Sequence, residues 1–427
     1  MEKIKEYMNK HYENLSMDAI DFNNFFNELE ILFDNSSLRN KSSRKNILII
    51  RLDAIGDYIL TIPLIREIRK NYPNATITLV VSPLTYNLAE TNPYVNYVYL
   101  VNGNSLYRSL GQLIIDMYKF CIMNLWDKNI DTAVVSQWGS DNLASILIAY
   151  LSGATNRIGY GQFPFKLWFT PNELKEKLKN QNEYLKNLAD YFFLNQSVFT
   201  DTSIVHEIDK HLYLLKYLNI EKEVNKSLEL HITEQDKKTV EYLKDVKKQK
   251  IVVSVGAGSP SAIYDVNKLN KALKLIYEED SNVIFVIVGG VNNTETVKAF
   301  TVPIIDLTGQ LTLRETAAAI SLCNLYIGND TGVMHMAATY HLPILMISRE
   351  AKSKMNYKPG VYSSIASFKP LDTPYVIVQP EIALGDCRNE IIYGGCRYTY
   401  PHCINQITPE QIYKGYKQLR EMSEKYA

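Results

Sequence analysis

Two series of alternating strands and helices, each starting afresh, constrain this chain more than any other feature. The first opens at Asn46 with the buried strand Ile47-Leu48-Ile49-Ile50. A turn from Arg51 to Gly56 follows, then a helix from Asp57 onward carrying Leu60, Ile62, Leu64 and Ile65. Strands over 75–82, 95–101 and 131–135 and a helix over about 142–151 continue the series. The second series runs through strands at 251–255, 283–288, 304–307, 325–327, 342–347 and 375–378. Short apolar runs separated by helical stretches are parallel strands covered on both faces. The alternation predicts an α/β protein of two Rossmann-like, doubly wound parallel-sheet domains facing a cleft. Such sheets take their ligands at the carboxyl ends of the strands, so the βα turns are where chemistry is expected.

A chain of 427 residues is too long for one core. We divide it into a helical appendage with its linker (1–45), a first domain (46–230) and a second domain (231–427). The appendage has helical spacing of Ile4, Tyr7, Met8, Phe22, Phe25, Phe26 and Leu29, and its acids favour packing on a neighbour over lying on a membrane surface. The last helix, over about 409–425, is amphipathic and is free in the sequence to pack back on the first domain. Lys+Arg and Asp+Glu are both 46, so no excess charge argues for a nucleic-acid partner. No run of 18 apolar residues exists, and the charged N-terminus lacks a secretory core, so a cytoplasmic location is expected. A peripheral contact with the inner face of the cytoplasmic membrane is compatible with that location.

Three turns carry the candidate chemistry. Gly328-Asn329-Asp330-Thr331-Gly332-Val333-Met334-His335 joins a strand to a small-residue helix. Free amides and the positive end of the helix dipole suit a phosphate-bearing ligand there, and His335 stands one turn in. An ordinary N-capped helix with a surface His is the competing reading. Arg51-Leu52-Asp53-Ala54-Ile55-Gly56-Asp57 lacks the G-x-G-x-x-G fingerprint, which disfavours an NAD enzyme. Asp57 is either a helix cap or a general base, with Asp53 as its competitor. The loop Val255-Gly256-Ala257-Gly258-Ser259-Pro260-Ser261 opens the second domain, and its small residues let backbone amides approach a ligand. There is no Asp-x-Asp triplet to bridge a metal to a diphosphate, so helix N-termini and basic side chains would meet that charge. Cys387, Cys396, His402 and Cys403 could close a tetrahedral metal site, but their spacing matches no standard zinc pattern and a buried thiol cluster is the favoured reading.

Taken in order, these motifs resemble glycosyltransferase family 9, the lipopolysaccharide heptosyltransferases. The matching stretches are Ile49 to Asp57 with Pro63, Arg157-Ile158-Gly159-Tyr160, Gly256 to Pro260, Asp306-Leu307-Thr308-Gly309 with Leu313-Arg314-Glu315, the Gly328 to Gly332 block with His335, and Cys403-Ile404 before Ile407 to Glu410. The resemblance covers about 46–420. It implies a GT-B fold, an acceptor domain followed by a nucleotide-sugar donor domain, and inverting, metal-independent transfer of a sugar. The implied donor is ADP-heptose, the implied acceptor an envelope glycan or glycolipid such as the lipopolysaccharide inner core, and no cofactor is required. Carried over by position, Asp57 is the general base. Asp330, Thr331, Gly332 and His335, with Gly256, Gly258 and Ser259, hold the donor, while Arg51, Asp53 and Gly56 lie on the acceptor side.

The chain departs from the family where a basic residue normally follows Gly-Ser-Pro: here Ser261-Ala262-Ile263-Tyr264-Asp265 has no cation before Lys268. Arg349, in Ile347-Ser348-Arg349-Glu350, is the candidate to supply that charge from another loop. Two alternatives share the fold: a heptosyltransferase acting on a protein of the autotransporter type, and a diverged subunit that binds a nucleotide sugar without turning it over.

Overall fold

The computed structural model describes residues 45–103, 110–137, 143–160, 194–198, 203–353, 363–384 and 400–426, together with Phe25, Glu28, Leu29, Ile31 and Phe33. The first sheet is built from β1 (Asn46–Arg51), β2 (Thr76–Val81), β3 (Tyr97–Leu100), β4 (Thr132–Val135), β5 (Asn156–Tyr160) and β6 (Gln196–Val198). The second holds β7 (Gln249–Ser254), β8 (Val283–Val288), β9 (Ile304–Asp306), β10 (Leu325–Asn329), β11 (Ile344–Ile347) and β12 (Tyr375–Val378). The strand orders are β3-β2-β1-β4-β5-β6 and β12-β11-β10-β7-β8-β9, and the paired strands are parallel. Both sheets therefore reverse direction at their centre, beside β1 and β4 in one and β7 and β10 in the other. A crevice opens beyond the strand ends at such a reversal.

Alternation of side chains across β1 shows why both faces must be covered. Ile47 and Ile49 enter the apolar layer with helix α1 (Ile55–Asn71), whereas Leu48 and Ile50 enter the opposite layer. The second layer contains α3 (Leu110–Asn124) and α4 (Leu143–Leu151), α2 being the short helix Tyr86–Ala89. The described residues of the appendage are helical, and Phe25, Leu29 and Phe33 belong to this same layer. Phe25 and Leu29 are fully buried, Phe25 lies edge-on to Tyr118, and Phe33 is edge-on to Trp126 and Tyr150.

After β6 the chain forms α5 (Glu207–Tyr213), which packs on α1, and α6 (Glu234–Thr239), then enters the second sheet. That sheet carries α7 (Val266–Glu279), α8 (Leu313–Ile320), α9 (Gly332–Thr339), α10 (Ser364–Phe368) and α11 (Pro409–Tyr426). Helix α11 packs on β11, β12 and α7, where Leu345 and Val378 close against Gly415. The sequence left this helix free to return to the first domain; its apolar stripe of Ile412, Tyr416 and Leu419 is instead buried in the second domain. The strands legible in the sequence are present, with β8 and β12 at the expected bounds. The sequence reading did not assign β5, β6 and α5.

One apolar cluster joins the domains, running from the inner layer of the first sheet through α1 and α9 into the second. The N-terminal turns of α1 and α9 meet so closely that a Cβ on Gly332 would lie 2.5 Å from Cβ of Ile55. Among the described residues, no helix is long and apolar enough to cross a membrane.

Candidate active site

A cleft of about 540 Å³ lies between the sheets, against the facing N-termini of α1 and α9. Gly56, Asp57, Gly256, Gly258, Ser259, Asp330, Thr331, Gly332, His335 and Arg349 all line it. Residues from turns up to 293 positions apart, Gly56 and Arg349, are thus brought to one space, as the strand ends dictate (349 − 56 = 293). Arg51 and Asp53 are not among the lining residues.

Asp57 is the third residue of α1, where a carboxylate could satisfy free amides. It does not do so. The N-cap, Ala54, contributes no side-chain cap, and the Asp57 carboxylate instead accepts a hydrogen bond from Arg51 Nη2 at 2.8 Å on Oδ1. Asp57 keeps 19 % of its side chain exposed, on the cleft side, while Arg51 is buried at 1 %. Burial raises the Asp57 carboxyl above its ordinary value, and the charge of Glu207 adds to this while Arg51 and His211 oppose it. Asp53 pairs with Arg51 Nε at 2.6 Å behind the turn. The two carboxylates that compete in the sequence are therefore separated by position: Asp57 faces the cleft, whereas Asp53 serves Arg51.

Arg51 was expected on the acceptor side, yet it contacts the cleft only through Asp57. Its Nη1 donates to Ser136 O at 2.8 Å and faces His211 Nε2 at 2.6 Å, and its Nη2 also reaches Glu207 Oε1 at 3.4 Å. Burial alone would raise the Glu207 carboxyl, but His211, Arg51 and Lys210 outweigh it and hold that group below the usual carboxylate range. Glu207 and His211 escaped the sequence reading, although a Glu and a His four residues apart share a helix face.

On the opposite wall, Thr331 is the N-cap of α9 without a side-chain cap, so the leading amides at Gly332 and Val333 are not competed for by a neighbouring side chain. The Asp330 carboxylate accepts from Ser364 Oγ at 2.8 Å, and burial pushes it up to about 6. His335 is buried, with its Cδ2 where a Cβ on Gly56 would come within 2.6 Å, and its ring stands edge-on to Phe368. Burial and the nearby His206 push it down to about 3, so at neutral pH it is an uncharged imidazole and not the surface His of the competing reading.

The glycine loop forms the floor of the second domain's side. Gly256 lies against Asn293, and its carbonyl accepts from Asn329 Nδ2 at 3.2 Å, while a Cβ on Gly258 would meet nothing within 4 Å. Arg349 Nη1 donates to Ser259 Oγ at 3.1 Å and also to Ser261 Oγ. Lys268 is committed elsewhere, donating to Asn405 O at 2.5 Å. Among the described residues, Arg349 is the one permanent cation lining the cleft. Ser364, Phe368, Asn293 and the Gly289-Gly290 pair also line it and carried no signal in the sequence.

Of the C-terminal quartet, Cys387 and Cys396 lie outside the described residues. Cys403 is buried, and its Sγ accepts from Leu384 N at 3.3 Å. No group of three or more His, Cys, Asp and Glu is placed to hold a metal ion among the described residues.

A family model for glycosyltransferase family 9 (heptosyltransferase) matches residues 143–354. The lipopolysaccharide core heptosyltransferase OpsX of Haemophilus influenzae is 21 % identical over 305 residues, 70 % of this chain and 78 % of that protein. Among solved structures, a family 9 glycosyl transferase from Veillonella parvula superposes with a TM-score of 0.64 at 19 % identity, covering 90 % of this chain and 99 % of that one. The E. coli ADP-heptose lps heptosyltransferase II follows with a TM-score of 0.62 at 17 % identity, covering 89 % and 99 %. The two-domain GT-B architecture is common to them.

Proposed function

Since the chain belongs to glycosyltransferase family 9 and is a glycosyltransferase, we propose that it moves heptose from ADP-heptose to the inner core of lipopolysaccharide at the inner face of the cytoplasmic membrane, inverting the anomeric carbon without a metal. The observation that carries this reading is the opposition of Asp57 to the α9 N-terminus and Arg349 across one cleft. An inverting displacement needs a base on one face of the sugar and stabilisation of a departing anion on the other.

In the step we propose, an acceptor hydroxyl oxygen bonds to the anomeric carbon as the bond from that carbon to the diphosphate oxygen breaks. The hydroxyl proton passes to the Asp57 carboxylate. The electron pair leaves with the nucleoside diphosphate, whose charge is met by the amides of α9 and by Arg349. Asp330, His335 and the Gly256–Ser259 loop would orient the donor, the loop by its lack of side-chain bulk.

The names of the relatives supply the donor and acceptor in this proposal: OpsX for the lipopolysaccharide core and the E. coli protein for ADP-heptose. The test is to incubate the purified chain with ADP-heptose and, in parallel, a heptose-deficient lipooligosaccharide and an unglycosylated autotransporter passenger. Heptose on the lipooligosaccharide, with inverted anomeric configuration, is the expected result. Heptose on the passenger alone replaces the acceptor, and no turnover of any nucleotide sugar in a panel removes the catalytic reading.

A further inference from the structure

Behind Asp57 lies a set of ionisable groups that the proposed step leaves unused. Glu207 and Lys210 on α5 are almost fully buried, and His211 completely so. A carboxylate so enclosed needs charge partners or hydrogen bonds to stay ionised. A counter-ion for buried Arg51 is the simple explanation, but Asp53 at 2.6 Å and Asp57 at 2.8 Å already fill that need. A third carboxylate at 3.4 Å leaves the cluster of Asp53, Asp57, Glu207, Arg51 and Lys210 with a formal excess of negative charge.

The geometry around His211 is equally directed. Leu60 O can only accept, so the 2.9 Å contact to His211 Nδ1 places a proton on that nitrogen. Nε2 of the same ring lies between two partners, 2.6 Å from Arg51 Nη1 and 3.1 Å from Glu207 Oε1. With Ser136 O on the same Nη1, the guanidinium is fixed in its plane from three sides. Helix α5 is itself anchored at its N-cap, where His206 Nε2 donates to Lys369 O of the second domain at 3.1 Å and Nδ1 accepts from Ile208 N.

We propose that Glu207 and His211 are positioning residues for the transfer, holding Arg51 so that its Nη2 is divided between Glu207 and Asp57. This rests on the reading of Asp57 as the base. Division of Nη2 weakens the hold of Arg51 on the Asp57 anion, and the charge of Glu207 opposes that anion further, so the carboxylate stays receptive to a proton. The groups facing Asp57 are Arg51 and Asp53 from β1 and its turn, Glu207 and His211 from α5, and Asp330 from the α9 side; Lys210 and Tyr160 face Glu207, and His335 lies against the neighbouring Gly56. Removing the Glu207 charge leaves Nη2 of Arg51 to Asp57 alone and makes Asp57 a weaker base.

The test is the pH profile of kcat/KM and of kcat for the full chain, with ADP-heptose and heptose-deficient lipooligosaccharide, in the wild type, Glu207→Gln, Glu207→Asp and Asp57→Ala. Glu207→Gln is expected to lose roughly tenfold in kcat, with donor KM changed less than about twofold and the acidic limb displaced to lower pH. Glu207→Asp should restore the limb while kcat stays reduced. An unmoved limb and wild-type kcat in Glu207→Gln overturn the proposal, provided Asp57→Ala is inactive. An active Asp57→Ala instead overturns the reading of Asp57 on which it rests. If Glu207→Gln fails to bind ADP, His211→Asn decides: reduced kcat at unchanged donor KM supports the proposal, and wild-type kcat overturns it.

Discussion

Gly56 and His335 touch across the domain boundary: a methyl group on Gly56 would stand 2.6 Å from Cδ2 of His335. Neither residue could be read as a contact from the sequence, because they lie 279 positions apart (335 − 56). Their contact, with that of Gly332 on Ile55, sets how near the two helix N-termini approach and so how wide the cleft is.

Gly56→Ala and Gly332→Ala should therefore force α1 and α9 apart. The expected cost is about 1–3 kcal/mol of stability for each, as for other overpacked contacts. Donor KM should rise with the loss. Thermal melting alongside initial rates checks this, and Gly258→Ala, where there is open space, serves as the contrast with little effect on stability.

Arg349 bridges to Ser259 and Ser261 where the family's usual cation is missing. Arg349→Ala should weaken donor binding by about 1.5–3 kcal/mol, the range for a hydrogen bond to a charged group, which is roughly 10- to 150-fold in Kd. Arg349→Lys should recover part of it. Calorimetric titration with ADP and with ADP-heptose reads the effect, and unchanged affinity in Arg349→Ala would remove Arg349 from the donor site.

Asp330 is pushed up to about 6 by burial, above its ordinary 3.8. The folded protein then holds this proton more tightly than the unfolded chain does. The stability it contributes is complete below about pH 4 and is lost as pH rises through about 6. At pH 7.5 the ionised carboxylate should cost up to about 3 kcal/mol, so Asp330→Asn is expected to melt higher than wild type there while turning over more slowly. Melting curves from pH 4 to 8 should show the difference closing at the acidic end.

Phe25 is fully buried against Tyr118 in the outer layer of the first domain. Phe25→Ala should cost about 3–5 kcal/mol in urea unfolding of that domain, with donor affinity per folded molecule unchanged. A near-wild-type midpoint would mean the appendage contributes no packing.

The strands were legible because parallel strands covered on both faces must be apolar throughout, as in Ile47 to Ile50 and Val283 to Val288. The turns were legible because strand ends converge on one crevice, which brings Asp57, Asp330 and Arg349 together from their positions alone. What stayed hidden depends on contacts between distant residues. Arg51 was expected beside a ligand but lies behind Asp57, since Ser136 O, His211, Asp53 and Glu207 draw its guanidinium inward. Glu207 and His211 sit on a seven-residue helix, and their meaning appears only through an arginine 156 and 160 positions away. Likewise α11 shows its apolar stripe in the sequence but not the sheet that receives it.

The most direct test of the central claim compares Asp57→Ala with wild type in kcat and in affinity for ADP-heptose. A base that faces the cleft and is held from behind by Arg51 should be needed for turnover and dispensable for donor binding. In Asp57→Ala, kcat should fall by about 10²–10⁴-fold, with Kd for ADP-heptose within about threefold of wild type. A kcat near that of the wild type, with the donor still bound, would contradict it.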